Sequence, residues 1–368
     1  MVEAVFTRAN WAAVPFHFWS AILFVFGCMV GSFLNVCIYR LPLGLSVVSP
    51  PSHCPHCKYA IPWYLNMPLI TWLLLRGKCR NCGAPISVRY FLVELLTGLF
   101  FLACWISFGN REPILALIYA LFCAGLLAAT FIDFEHFIIP DSITVGGMLA
   151  GFVLSFLYPA LHGQTSVSHG IRAGLLGAAI GGGVVYAILR LGKMLFGRQR
   201  IALPAGANIV FTETAVCLPD KQVAYEDIFY RASDTIFIKA ERVEMVDRCY
   251  FDTVVRLNPE SLQIGEDKFV PSEVPYLQTL SQEIVLPREA MGFGDVKFMA
   301  AIGAFLGWPA VLFSLMVSSL IGSIVGVTLI VMGRQAWSSR LPYGPYIALA
   351  AALWLFGGQQ LVRWWIMR

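Results

Sequence analysis

Pro113-Ile-Leu-Ala-Leu-Ile-Tyr-Ala-Leu-Phe-Cys-Ala-Gly-Leu-Leu-Ala-Ala-Thr-Phe-Ile-Asp133 runs for 20 residues without a charge and then ends on a carboxylate. Twenty residues wound as a helix reach about 30 Å, the thickness of a bilayer's hydrocarbon core. Such a core offers no water to the backbone, so a segment this apolar satisfies its amides internally, as a helix. The same reading extends outward to spans at 16–39, 89–108, 113–133, 142–160, 171–190, 296–307, 310–332 and 343–361, of which the sixth is short. Composition agrees. Of 368 residues, 58% are hydrophobic and 13% charged, against about 25% charged in soluble domains. The expected fold is an all-α polytopic membrane protein with about eight transmembrane helices. Residues 1–16 hold one Arg and one Glu and no short apolar core before a small-residue cleavage site, so the run from Phe16 reads as a retained helix.

Basic residues set the orientation. Arg40, Lys58, Arg76, Lys78, Arg80 and Arg89 fall in or beside the loop 40–89, Arg190, Lys193, Arg198 and Arg200 follow the fifth span, and Arg334 and Arg340 follow the seventh. The opposite loops hold little beyond Arg111 and Arg172. By the positive-inside rule the basic loops face the cytoplasm of a cell whose inner membrane holds the chain. That rule accounts for the net charge of +4 without any nucleic-acid partner. Residues 197–290 break the pattern, with 15 acidic and 10 basic residues and a net charge of −5. Within them, 235–244 (TIFIKAERVE) mixes apolar and charged positions in near alternation, as a strand with one wet face does. Asn258-Pro259 and Gly265-Glu266-Asp267 read as turns. The expected organisation is an N-terminal segment and first helix (1–39), a cytoplasmic loop (40–88), helices two to five (89–196), a mainly β soluble cytoplasmic insert (197–290) and helices six to eight (291–368). A disordered linker is the alternative for the insert, and its Val, Ile and aromatic content weighs against that.

Two Cys-x-x-Cys pairs, Cys54-Pro-His-Cys57 and Cys79-Arg-Asn-Cys82, lie in the basic loop. Two such knuckles close a tetrahedron of thiolates around structural Zn²⁺, as in zinc-ribbon-like loops. Two disulfides are the alternative, and a reducing cytosol opposes them. His56 is a further donor, but four Cys complete the set without it. Four thiolates leave no open position, so this zinc does no chemistry.

Outside the insert the carboxylates are Glu3, Glu94, Glu112, Asp133, Glu135, Asp141 and Asp295. An ionisable group at membrane depth costs about 2.5–3.5 kcal/mol on insertion scales and marks function by default. Asp133 ends the third span. Asp295 opens the sixth within Gly292-Phe-Gly-Asp-Val-Lys297. Span counting puts both at the cytoplasmic face. Two carboxylates brought together share a proton: the ionised member activates water and the protonated member polarises a scissile carbonyl. Desolvation there is expected to raise their apparent pKa values. Gly292 and Gly294 leave room for a substrate backbone. Two other readings stay open on the residues alone, a helix cap for Asp295 and a membrane-boundary residue for Asp133. Asp141 is expected to cap the fourth span and Glu135 to be a solvated loop charge. Lys297 is either a snorkelling anchor or a cation acting on the pair.

Together these segments resemble the bacterial type IV prepilin peptidases, membrane aspartic proteases of the Gly-x-Gly-Asp type. Gly31-Ser-Phe-Leu-Asn-Val-Cys-Ile-Tyr-Arg-Leu-Pro42 resembles the family's exit from the first span. The Cys quartet sits where the family has its zinc loop. Ile86-Ser-Val-Arg-Tyr-Phe-Leu-Val-Glu-Leu-Leu-Thr-Gly98, the segment 133–141, the Gly292–Lys297 block and Pro342-Tyr-Gly-Pro-Tyr346 are similar to the blocks that follow. The resemblance covers nearly everything except 197–290. It implies that Asp133 and Asp295 are catalytic and that leader peptides of prepilins or pseudopilins are cut after Gly on the cytoplasmic side. It further implies methylation of the new N-terminus from S-adenosylmethionine, with Asn35, Arg40 and Glu94 as candidate groups for that activity. Work alongside pilus or type II secretion assembly machinery is implied as well. The alternatives are a peptidase without methylation, an ion-coupled transporter and a pilus-assembly scaffold. A transporter would be expected to show related halves, and the sequence has no internal repeat.

Overall fold

The computed structural model describes residues 16–204, 206–229, 234–274, 276–287, 292–333 and 341–366. The chain divides into two compact units, a helical one through Val185 and again from Phe293, and a second at 186–292.

In the helical unit, α1 is Phe16–Arg40, α2 Val88–Cys104, α3 Pro113–His136, α4 Asp141–Leu157 and α5 Val167–Phe196, of which the last residues belong to the second unit. After the second unit come α6 Phe293–Leu306, α7 Trp308–Val331, α8 Gly344–Leu353 and α9 Gln359–Ile366. Six helical stretches among the described residues are long and apolar enough to cross a membrane: Phe16–Arg40, Val88–Gly109, Pro113–His136, Val167–Leu195, Trp308–Val331 and Gly344–Val362. The chain is a multi-pass membrane protein. At 17 and 14 residues, α4 and α6 are shorter. The sixth expected span begins at Phe293, three residues before the sequence reading put it. The eighth is not one uninterrupted helix, because a π turn at Trp354–Gly358 separates α8 from α9.

Short α6 is the centre of its unit. Asp295, Val296 and every residue from Phe298 to Phe305 are buried, the condition of a helix apolar on all sides. It packs on α4, α7 and α8. It also approaches α5 so closely that a Cβ on Gly177 would lie 2.0 Å from the Gly303 carbonyl oxygen. Only glycine allows backbone that near. On the other side of the unit α1 lies along α2, and both pack against α3.

The second unit is an antiparallel sheet built from β1 Arg198–Ala202, β2 Asn208–Phe211, β3 Ala215–Cys217, β4 Gln222–Ala224, β5 Ile236–Met245, β6 Cys249–Leu257, β7 Leu262–Ile264, β8 Asp267–Phe269, β9 Leu277–Leu280 and β10 Glu283–Pro287. Its strand order is β4-β3-β2-β9-β5-β6-β7-β8, and β10 pairs with both β5 and β1. Strand β5 (Ile236–Met245) is the expected alternating strand. Ile236, Ile238, Ala240 and Val243 point into a core with Ile209, Val255, Ile264 and Ile284. Asn258 closes the β6–β7 turn by accepting the amides of Glu260 and Ser261. Gly265, at φ +60°, opens the β7–β8 turn. Partway along, β5 changes partner from β10 to β9. Ser281 sits at that fork with its hydroxyl 2.8 Å from the Lys239 carbonyl. The chain enters this sheet on β1 and leaves on β10, paired from Arg198↔Pro287 to Ala202↔Glu283.

Candidate active site and metal centre

Asp133 lies in the last turn of α3 and is buried. One turn later Phe137 takes a left-handed conformation, φ 55°, and its amide bonds the Asp133 carbonyl at 3.0 Å, ending the helix. The chain then reverses through buried Ile139 into α4. The Asp133 carboxylate Oδ2 accepts the Gly344 backbone N–H at 2.9 Å, across 211 residues of sequence. Asp295 is in the first turn of α6 and is also buried. It is an internal residue of the helix, not its cap.

Ile139 ties these pieces together. A Cβ on Gly294 would sit 3.5 Å from Ile139 Cβ, and a Cβ on Gly344 would sit 3.1 Å from Ile139 Cδ1 and 2.8 Å from Asp133 Oδ2. The segments carrying Asp133, Asp295 and Gly344 therefore converge on one side chain. Helix α8 packs against both α3 and α6, which completes the arrangement.

Three neighbours differ from expectation. The N-cap of α4 is Pro140, which bonds through no side chain, and Asp141 is the first helical residue. There its charge faces the positive end of the helix and accepts Lys297 Nζ at 2.6 Å. Lys297 is thus engaged with Asp141 and also lies over the Phe293 ring, 5.3 Å from its centroid. Glu135 is exposed, as expected of a solvated charge, but it is not in a loop. It lies in the last turn of α3 and pairs with Arg89 at the start of α2.

The loop between α1 and α2 brings four thiols together. Sγ atoms of Cys54, Cys57, Cys79 and Cys82 all lie within 4.8 Å of one another. Cys54–Cys82 and Cys57–Cys79 are 3.9 and 4.0 Å apart. A tetrahedron of Zn–S bonds about 2.3 Å long has edges of about 3.8 Å, so the donor set fits such an ion. The two knuckles repeat one geometry. Cys54 N–H bonds Tyr59 O and Cys79 N–H bonds Ala84 O, and the residue after each second Cys, Lys58 or Gly83, is left-handed. Hydrogen bonds from the Tyr59 amide and from Asn81 draw the Cys57 thiol down to about 6. Amides of Cys82 and Asn81 lower that of Cys79. His56 is exposed and outside the cluster. All four cysteines are free of disulfides.

Asn35, Arg40 and Glu94 are all buried, and each is bound to backbone. Asn35 Nδ2 donates to Tyr90 O at 3.0 Å, and its Oδ1 has no partner. Glu94 Oε2 accepts the Leu69 amide at 2.8 Å. Arg40 holds the carbonyls of Ser46 and Pro50 at 2.9 and 2.8 Å. None of the three bonds another in the contacts of the described residues. Beside them α1 and the loop enclose a mostly apolar cleft of about 690 Å³, lined among others by Ser32, Arg40, Trp63, Met67 and Leu69. Sequence reasoning missed the Leu69 amide and Gly344, since neither bears a side chain whose chemistry would advertise it.

Two family comparisons match this architecture. Residues 25–108 match the Bacterial Peptidase A24 N-terminal domain, and residues 120–215 and 271–327 match the Type IV leader peptidase family. The chain belongs to the type IV leader peptidase family. Curated relatives carry the name Prepilin leader peptidase/N-methyltransferase. One from Myxococcus xanthus is 46% identical over 199 residues, 53% of this chain and 56% of that protein, so the match spans little more than half of either. One from Aeromonas hydrophila is 28% identical over 377 residues, 96% of this chain and 95% of its own. One from Legionella pneumophila is 24% identical across 100% of this chain and 99% of its own. No solved structure matches the chain. The family match skips 216–270, most of the sheet unit, and resumes before Asp295.

Proposed function

We propose that this chain cleaves the leader peptide of type IV prepilins or pseudopilins, with Asp133 and Asp295 as the catalytic pair. One observation carries the reading: the segments bearing these two buried carboxylates converge on Ile139 beside an amide that holds Asp133. In the proposed reaction the ionised carboxylate takes a proton from water as its oxygen attacks the scissile carbonyl. The protonated carboxyl donates to the carbonyl oxygen. Collapse of the tetrahedral intermediate returns a proton to the leaving amine. Eight membrane crossings, with α4 and α6 as short ones, put both aspartates and the thiol cluster on the cytoplasmic side of the inner membrane, in keeping with the basic loops. In this scheme residues 40–88 form the zinc loop and 197–290 the cytoplasmic insert.

The names of the relatives support a second step, N-methylation of the new N-terminus from S-adenosylmethionine. Arg40 lines the α1–loop cleft, and Glu94 accepts the amide of Leu69, which lines it too, so that cleft is the place we assign to the second step. Structural Zn²⁺ on Cys54, Cys57, Cys79 and Cys82 would fix the loop that forms the cleft's far wall. The test is turnover of a prepilin peptide by purified protein in detergent. Asp133→Asn and Asp295→Asn should each lower kcat by about a thousandfold or more, within the range for loss of a general acid or base, with unchanged folding. Near-normal turnover by either variant rejects the pair.

A further inference from the structure

Residues 59–75 carry no charge, between Lys58 and Arg76. They belong to the loop that holds the thiol cluster. Their apolar centre, 63–75, has the length of a segment that enters a bilayer without crossing it. Its side chains are not folded away. Trp63, Tyr64, Met67, Ile70, Leu73 and Leu74 are exposed, Trp63 by 82% and Leu74 by 76%. So large a contiguous apolar face marks a surface that something covers.

The contacts of the segment fix its level. The Leu69 amide donates to Glu94 Oε2 at 2.8 Å. Glu94 lies five residues beyond Arg89, about 8 Å further along α2. Trp72 stacks obliquely on Phe91, with ring centroids 5.3 Å apart, and its Nε1–H donates to the Ile86 carbonyl at 3.3 Å. The segment therefore lies against the first two turns of α2. The α1–loop cleft gives the same placement from the other side. Trp63, Met67 and Ile70 line it together with Val25, Met29 and Phe33 of α1. Those three are exposed on a helix long enough to cross the membrane, so lipid tails cover them. The apolar face continues from them onto the loop.

The backbone suits the same surroundings, where an unbonded amide is costly. The amides of Leu65, Asn66, Ile70, Thr71, Leu73 and Leu75 all bond to backbone carbonyls within the segment or at Pro62. Pro62 and Pro68 have no N–H. Leu69 sits at φ 60°, a conformation that leucine seldom takes, and Glu94 holds its amide there. Beyond Leu75 the chain turns basic, with Arg76, Lys78 and Arg80 all exposed.

We propose that residues 63–75 are inserted in the membrane leaflet on the side of the thiol cluster. Trp63 and Tyr64 sit at the interface, Met67, Ile70, Leu73 and Leu74 reach the outer hydrocarbon, and Arg76, Lys78 and Arg80 meet anionic headgroups. The partner of this surface is the bilayer itself. The metal site then stands on the membrane surface, and the α1–loop cleft opens sideways into lipid. This goes beyond the peptidase reading and holds or fails independently of it.

The test uses the whole chain in vesicles of phosphatidylethanolamine and phosphatidylglycerol. A fluorescent amino acid replaces Leu74 in one protein, Trp63 in a second and His56, the exposed knuckle residue, in a third. Two sites in the segment keep the test open if one protein does not fold, which circular dichroism reports. Two quenchers are compared, a nitroxide on the upper acyl chain of the lipid and iodide in the water. In place of Leu74 or Trp63 the probe should lose most of its emission to the nitroxide and little to iodide. In place of His56 the order should reverse. Nitroxide quenching at either segment site no stronger than at His56 overturns the inference. Access to iodide would then put the face in water, and protection from both quenchers would mean that another protein surface, such as a second copy, covers it.

Discussion

Asp133 stood out in the sequence because it ends 20 residues without a charge, and no partner was needed to single it out. Its support was not legible. The Gly344 amide lies 211 residues away, and a glycine in a Pro-Tyr-Gly-Pro-Tyr run reads as a turn. Lys297 had two readings on residue type alone, and its bond to Asp141 shows what a count of charges cannot. Among the described glycines of the helical unit, Gly177 leaves an added Cβ the least room, against Gly303. With 2.0 Å between a prospective Cβ and a carbonyl oxygen, no rotamer can relieve the clash, so the backbones must part. Gly177→Ala should therefore destabilise the protein by about 1–3 kcal/mol or more, as overpacking does. Unfolding in detergent, followed by denaturant titration, measures it. A change within about 0.5 kcal/mol would mean that α5 and α6 are not in this contact.

At the scale of elements, hydropathy found the helices because each long one carries its own signal. The expected 113–133 became Pro113–His136, and 310–332 became Trp308–Val331. The start of α6 was missed because Gly294 and Asp295 cut Phe293 off from the apolar run, although the backbone is already helical there. The π turn at Trp354–Gly358 leaves no trace in composition. The two knuckles were visible because ligand spacing is a local property, whereas the way they face each other is not. We expect one zinc per chain by elemental analysis of purified protein. Cys57→Ser should leave well under half an equivalent and loosen the loop to protease. Peptidase activity should fall less than in the aspartate variants, since the ions of a four-thiolate site brace structure and leave no position for substrate. Less than a tenth of an equivalent in wild-type protein rejects the metal.

For the whole molecule, charge divides as the two units do, with net −5 over 197–290 against a basic remainder. A leader peptide with basic residues is drawn to such a surface at long range, and salt screens that attraction beyond about 8 Å at physiological ionic strength. The expected result of replacing 200–287 by a short Gly/Ser linker is a higher apparent KM at low salt and a smaller gap at high salt. Equal KM values at both salts in a folded deletion would leave the sheet unit a docking or stabilising role instead. The deletion is feasible because β1 and β10 run side by side, with Arg198 opposite Pro287. A domain whose two ends are neighbours makes no demand on the spacing of what flanks it. To the helices before and after, this unit has the footprint of a hairpin. Lineages could exchange it for another fold, or dispense with it, without re-threading a membrane segment, and an engineer could graft a reporter domain with adjacent termini at the same seam.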